Sequence, residues 1–399
     1  MRKTDILIAT ALCAGVLLSG CSQEKQYYKQ AGEYAKEGSY EEAASYYEKA
    51  ISENSQKAEY YIDYGVTLIE LGNYEEAITL FNKAILSSED KIVDPDNQIT
   101  RKNNKNAYRG KGIAYYDNHD YKNAITFFEY ALEIDELPDM NSDIRSYLAD
   151  SYKLNGDYED AIATYTTMID KTDSAFAYGK RAECETLMKE YDKALDDYNA
   201  AIKRDSSNYD FYFGKYDICV ILGDEQEASK TIEEALSIND ESKEAVFNQG
   251  KLYYMMKNMD KAKEKLAQSY DAGYEQAGYY LGIIADSEGD NEKAIEYFKA
   301  YIETKSGKNS GVTYNQLAVL YNKIGDYETA LDYINKGKKL KDISINKSLL
   351  YNEVATYEKM GDFDTAYKKA KKYLDEYSDD KNMKREFKFL KTRILKETE

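Results

Sequence analysis

Small and aromatic side chains recur along this chain at intervals of three and four, and the recurrence is itself repeated. Tyr27, Ala31 and Tyr34 set the pattern, as do Tyr108, Gly112 and Tyr115, each an i, i+4, i+7 stripe with the period of an α-helix. A second stripe follows each, in Ala43, Tyr47 and Ala50 and in Ala77, Phe81 and Ala84. Between the stripes stands one string: Gly38-Ser-Tyr-Glu-Glu-Ala43, Gly72-Asn-Tyr-Glu-Glu-Ala77, Gly156-Asp-Tyr-Glu-Asp-Ala161 and Gly325-Asp-Tyr-Glu-Thr-Ala330. The glycine ends a first helix, and the Ser, Asn or Asp after it caps a second by accepting backbone N–H bonds. The predicted unit is a helical hairpin. With only two prolines and 22 glycines the chain has too few turn signals for a β-rich fold, so an all-α protein is expected.

Weaker copies of the string complete the array. The central alanines are Ala43, Ala77, Ala124, Ala161, Ala194, Ala228, Ala262, Ala294, Ala330 and Ala366, spaced by 32 to 47 residues. An aromatic residue, among them Tyr40, Tyr74, Tyr121, Tyr158, Tyr191, Tyr327 and Phe363, plugs the turn between glycine and alanine. This pattern resembles the tetratricopeptide repeat. The resemblance implies an α-solenoid of about ten stacked helix-turn-helix repeats in a right-handed superhelix, in which each hairpin buries its face on its neighbours. Two departures stand out. The proline that usually follows the second helix is absent throughout. In the sixth to eighth copies the turn aromatic becomes Glu225, Met259 and Asn291, and Ala272-Gly273 with Leu281-Gly282 is closer to the related Sel1-type repeat.

The two ends of the chain differ from the array. Arg2 and Lys3 precede an uncharged stretch from Ile6 to Leu18, which is too short for a stable membrane span and has the form of a signal-peptide core. Leu18-Ser19-Gly20-Cys21 resembles the lipobox of bacterial lipoproteins, which implies a leader at residues 1–20 and lipidation of Cys21. The expected organisation continues with a short tether at 21–26, the repeats at 27–378 with an acidic insertion around 88–104, and a capping helix at 379–399. Met383, Phe387, Leu390 and Ile394 give that cap one apolar stripe on an otherwise charged segment. The address implied is the outer face of the cytoplasmic membrane, or an outer membrane where the cell has one.

Charge narrows the partners. With 73 acidic against 54 basic side chains the formal charge is −19, which repels a phosphate backbone and argues against nucleic acid. The imbalance is uneven. Residues 367–399 are net positive by four, so residues 21–366 carry −24. The basic end either decorates a terminal repeat, or meets an acidic partner or anionic headgroups.

Little in the inventory suggests catalysis. The single histidine, His119, stands at the turn-glycine position of the third repeat, where a left-handed backbone tolerates it. No Walker loop, Gly-x-Ser-x-Gly elbow or His-Glu-x-x-His occurs, and zinc would need His or Cys clusters that the chain lacks. Glu89, Asp90, Asp94 and Asp96 around Pro95 lack the spacing of a calcium loop. Neither an enzyme, a metal nor a cofactor is expected. Cys184 and Cys219 fall on corresponding helices of neighbouring repeats, so they are either buried thiols or a bridge.

The resemblance also implies a concave groove lined by first helices. Carried over, it places there Tyr28, Ile62, Val66, Ile69, Ile113, Tyr116, Phe213, Val220, Phe247, Tyr254, Met255, Tyr279, Ile283 and Tyr351, mixed with Glu70, Asp150, Glu183, Asp217 and Lys251. These residues either receive a partner or pack between neighbouring helices. Half of the 42 tyrosines fall at packing positions of the repeat. The function expected is a lipid-anchored scaffold that binds a protein or peptide at the cell envelope. The alternatives are a structural subunit of an envelope assembly and an accessory protein for secreted polysaccharide.

Overall fold

A computed structural model describes residues 22–89, 97–304, 306–340 and 342–397. The expected leader, the lipidation site Cys21 and the acidic residues around Pro95 lie outside them. The described residues are organised as helices, and they divide at Glu225 and Gln226 into two compact units.

The first unit pairs α1 (Gln23–Lys36) with α2 (Tyr40–Glu53), α3 (Ala58–Glu70) with α4 (Tyr74–Glu89), and α5 (Gln98–Asp117) with α6 (Tyr121–Glu133). It continues with α7 (Asn141–Asn155) on α8 (Tyr158–Thr172), α9 (Ala175–Leu187) on α10 (Tyr191–Arg204), and α11 (Tyr209–Leu222). The second unit opens with α12 (Glu225–Leu236). It pairs α13 (Lys243–Met255) with α14 (Met259–Asp271), α15 (Ala277–Ser287) with α16 (Asn291–Ile302), α17 (Gly311–Ile324) with α18 (Tyr327–Lys339), and α19 (Ile343–Lys359) with α20 (Phe363–Glu376). A final helix, α21 (Lys381–Glu397), packs on α20. Each unit is an α-solenoid stack in which the second helix of one hairpin also packs on the first helix of the next, as α4 does on α5 and α16 on α17.

The hairpin has one construction throughout. A residue with positive φ, between 58° and 93°, ends every first helix: Gly38, Gly72, His119, Gly156, Lys189, Gly223, Lys257, Gly289, Gly325 and Gly361. The second helix starts two residues later in all ten repeats, including those beginning with Glu225, Met259 and Asn291, so the register holds through the irregular copies. Side-chain caps form at about half of these starts. Asp120, Asn258, Asp290, Asp326 and Asp362 accept a backbone N–H, whereas Ser39 and Asp157 do not.

Close helix crossing explains the small residues. All ten central alanines are buried, and four residues on from nine of them stands a large side chain that plugs the hairpin, such as Tyr47, Phe81, Phe128, Tyr165 or Phe298. Phe81 of α4 lies between Gly65 of α3 and Gly110 of α5. A Cβ at either glycine would come within 2.8 and 2.4 Å of the Phe81 ring. A larger residue at either position forces the Phe81 ring or a helix to shift.

Two boundaries differ from expectation. α1 starts at Gln23, inside the segment expected to be a tether, because Ser22 already accepts backbone bonds as its N-cap. The insertion is shorter than expected. Residues 98–104 are the opening turns of α5, capped by Asn97 and tied down by a salt bridge from Arg101 to Glu136 at 2.8 Å.

Candidate functional site

The expected groove residues separate into three kinds. Ile62, Ile69, Ile113 and Phe247 are buried, Ile113 with only 1% of its surface exposed, so these four are packing residues and no partner reaches them. The reason lies in the stack. First helices touch first helices, as α3 does α5 and α5 does α7, which covers a face that an isolated hairpin would leave open.

A second kind is half-buried and joined to other rings. Tyr28 stacks on Tyr60 at 4.5 Å, and its hydroxyl donates to Asp63, whose carboxyl burial pushes up to about 6. Tyr116 meets Tyr121 and Tyr147 edge-on. In the second unit Phe247, Tyr254 and Tyr279 all pack on Tyr280, at 5.7, 5.7 and 5.4 Å, a residue the sequence pattern did not single out. Val66, Phe213, Met255 and Ile283 are likewise half-buried. Only Val220 and Tyr351 are exposed, at 54% and 38%.

Val220 and Tyr351 make the third kind, and the first unit also holds an open cleft of about 510 Å³. The cleft is lined by Lys153 and Leu154 of α7, Tyr158 of α8, Glu183, Thr186 and Leu187 of α9, Tyr198 of α10, and Gly214 and Asp217 of α11. Glu183 and Asp217 belong to the charged set expected along the groove. Gly214 is there by necessity, since a Cβ on it would lie 2.2 Å from the Tyr198 ring. Its absence lets that ring lie against α11.

The cleft has an apolar edge. Leu154 and Leu187, which line it, are 47% and 52% exposed, and Ile221, one turn beyond the lining residue Asp217 on α11, is 56% exposed. Leu154, Leu187 and Ile221 hold one equivalent position, two residues before the left-handed turn residue. The same position is Lys36, Glu70 and Asp117 in the first three repeats and Ser287, Lys323 and Lys359 in the last three. That substitution of leucine and isoleucine for polar side chains is a signal visible in the sequence once the ten copies are superposed position by position. Reading each hairpin alone missed it.

Beside the edge runs an ion triad. Glu183 accepts from Lys153 of α7 at 2.6 Å and from Lys180 at 2.5 Å, and Lys153 lies 3.9 Å from Asp150. Burial opposes ionisation of Glu183, but the two lysines outweigh it and hold the carboxyl below its usual range. Burial likewise opposes the charge on Lys153, and Glu183 and Asp150 raise it in net terms. Asp150 also accepts from the Tyr165 hydroxyl at 2.5 Å. Glu183 and Lys153 are therefore held as a charged pair. The neighbouring Cys184 is buried and outside any disulfide, as is Cys219, and burial pushes the Cys184 thiol up to about 12, which leaves no thiolate for nucleophilic chemistry there. His119 is exposed at φ 62°, its Nδ1 2.9 Å from the Tyr121 hydroxyl. Among the described residues no group of three or more His, Cys, Asp or Glu is placed to hold a metal ion. What the cleft offers is an apolar edge, a charged floor and space.

Comparison with known proteins agrees with this architecture. The tetratricopeptide repeat is matched over residues 34–92, 247–309 and 312–342, and subunit 3 of the anaphase-promoting complex, or cyclosome, over residues 117–201. The chain is 25% identical over 322 residues to the TPR repeat-containing protein MJ1428 of Methanocaldococcus jannaschii, an alignment covering 79% of this chain and 52% of that protein. It is 26% identical over 226 residues to the TPR repeat-containing protein YpiA of Bacillus subtilis, covering 55% and 52%. The chain thus spans about half the length of these curated relatives. A tetratricopeptide repeat protein from Parabacteroides merdae superposes with a TM-score of 0.45 at 17% identity, covering 62% of this chain and 98% of that one. Hairpins with one buried alanine, one left-handed turn and one plug, matched over three stretches by the repeat family, lead to one conclusion: the chain carries tetratricopeptide repeats.

Proposed function

We propose that this chain is a lipid-anchored, extracytoplasmic scaffold that binds a protein or peptide partner in the α7–α11 cleft. The observation that carries the binding reading is the exposed row Leu154, Leu187 and Ile221, apolar where most other repeats are polar. Solvent gives no reason to place three large apolar side chains at one repeated position on adjacent helices. A segment that lays an apolar face across them does. Helix packing distances of roughly 8 to 10 Å between neighbours match apolar residues about every third position of a polyproline II segment, or every seventh of a helical one. The triad floor supplies polar contacts that fix its orientation. The anchor and the envelope address rest on the first 21 residues, with Cys21 as the acylated residue and the leader removed.

The test is crosslinking in cells. A photoreactive residue at Leu154 or at Leu187 should capture one and the same protein, and one at Lys203, exposed on the second-helix face of α10, should not. Equal capture from Lys203 and from the cleft would remove the cleft from the reading.

A further inference from the structure

The helix α21 carries its charges unlike the repeats it follows. Its inner face is packed: Met383 and Leu390 are buried against Leu350, Val354, Ala366 and Tyr373, and Phe387 stacks on Tyr367 at 4.5 Å. Its outer face presents Lys381, Lys384, Arg385, Lys388 and Lys391, all exposed. Among the described residues none of these five side chains is placed in a hydrogen bond or ion pair. Nearby lysines behave otherwise. Lys338 and Lys369 bind Glu353, Lys347 binds Asp380, and Lys368 binds Asp364. Phe389 is exposed at one flank of that face, one turn beyond Arg385, with the Arg393 guanidinium 4.7 Å from its ring.

Five cations over three helical turns with no internal counter-charge call for an external one. A peptide ligand would need a groove to bury its apolar side chains. This face is the outside of a single helix with one aromatic at its flank. A bilayer surface needs only cations within reach of its headgroups and an aromatic at interfacial depth. Because residues 21–366 carry −24, an anionic surface repels the rest of the chain and selects this end. We propose that α21 docks the second unit on an anionic lipid bilayer, with Lys381, Arg385, Lys388 and Lys391 meeting the headgroup phosphates and Phe389 entering the interface. Such a contact is reversible alone and becomes stable when joined to a second membrane signal. It stands independently of the cleft and of the acyl anchor.

The experiment is co-sedimentation of the full chain with vesicles of phosphatidylcholine, with and without one-third phosphatidylglycerol, at low salt. Anionic lipid should raise binding, and each cation near the surface contributes about fivefold. Replacing Lys381, Arg385, Lys388 and Lys391 together by Gln should therefore remove the lipid-dependent gain, a loss of roughly several hundredfold. The same charge change at Lys25, Lys29, Lys49 and Lys122, all exposed in the first unit, should leave binding within about twofold. Any contribution of the apolar residues 6–18 appears in both vesicle types and all variants, so it cancels. Hydrogen exchange at Met383 and Leu390 should be unchanged in the α21 variant, which separates lost docking from a lost helix. Binding indifferent to anionic lipid, or equal loss in both quadruple variants, overturns the proposal. So does binding of a polyglutamate peptide without binding of anionic vesicles, which assigns the face to an acidic protein.

Discussion

Each unit contains a carboxylate on a first helix held by two lysines, and the two triads do different things. In the first unit Glu183 of α9 joins Lys153 of α7 and Lys180 of its own helix, a bridge between first helices beside an open cleft. In the second unit Glu353 of α19 joins Lys338 of α18 and Lys369 of α20, a bridge from a first helix to the second helices on either side. The Glu183 side chain is 36% exposed and that of Glu353 is 4% exposed. With the same three residue types, the direction in which the carboxylate points from its hairpin decides whether the charges serve as a surface or as a fastening. A buried carboxylate is intolerant of losing its partners, and an exposed one hands them to water.

Glu353→Gln and Glu183→Gln, isosteric and alike on paper, break this comparison most directly. Glu353→Gln strands two lysines and should cost near the lower end of roughly 3 to 5 kcal/mol, since both stems still reach water. Glu183→Gln should cost under about 1 kcal/mol. Because repeat arrays open locally, hydrogen exchange read helix by helix is the suitable measurement. Faster exchange in α18, α19 and α20 is expected for the first variant and little change in α7 and α9 for the second. Equal effects would mean that burial does not distinguish the triads.

A smaller effect sharpens the contrast inside α9 itself. Two residues from Glu183, Glu185 is only 5% exposed, and its Oε2 has no hydrogen-bond partner among the described residues. Burial, and then Asp197, push its carboxyl up from 4.5 to about 7, against the pull of Arg181, which is committed to Asp197 at 2.6 Å. The folded state thus binds an extra proton between those values, so this group's contribution to stability falls as pH rises from 4.5 through about 7. Glu185→Gln should be more stable than the parent above pH 7 by roughly 1 to 3 kcal/mol and indistinguishable from it below pH 4.5, in denaturant titrations at the two pH values. A variant equally stable at both would show that Glu185 ionises freely.

The hairpins were legible because their chemistry is local. A left-handed turn, a capping oxygen and an alanine at a helix crossing are decided within six residues; where the turn aromatic is lost, at Glu225, Met259 and Asn291, the sequence left the register open and the helix starts fix it. The groove was less legible. Ile62, Ile69 and Ile113 occupy the expected face of their helices, yet the adjoining first helix covers them, and no single-repeat pattern encodes that contact. Leu154 and Leu187 carried the opposite lesson. They sit where a hairpin has polar residues, and their meaning appears only when the same position is compared across copies. Phe247 and Tyr279 joined a cluster around Tyr280 because consecutive helical residues reached rings on different helices.

The central claim is that the cleft of the first unit is where a partner binds, and calorimetric titration tests it most directly. The segment of the captured protein that crosslinks to Leu187, made as a peptide, would be titrated into the parent chain and into Leu187→Ser. Loss of one well-placed apolar anchor should weaken binding by about tenfold or more, with hydrogen exchange in α7, α9 and α11 unchanged. An unaltered affinity in a variant whose helices are intact would contradict the account.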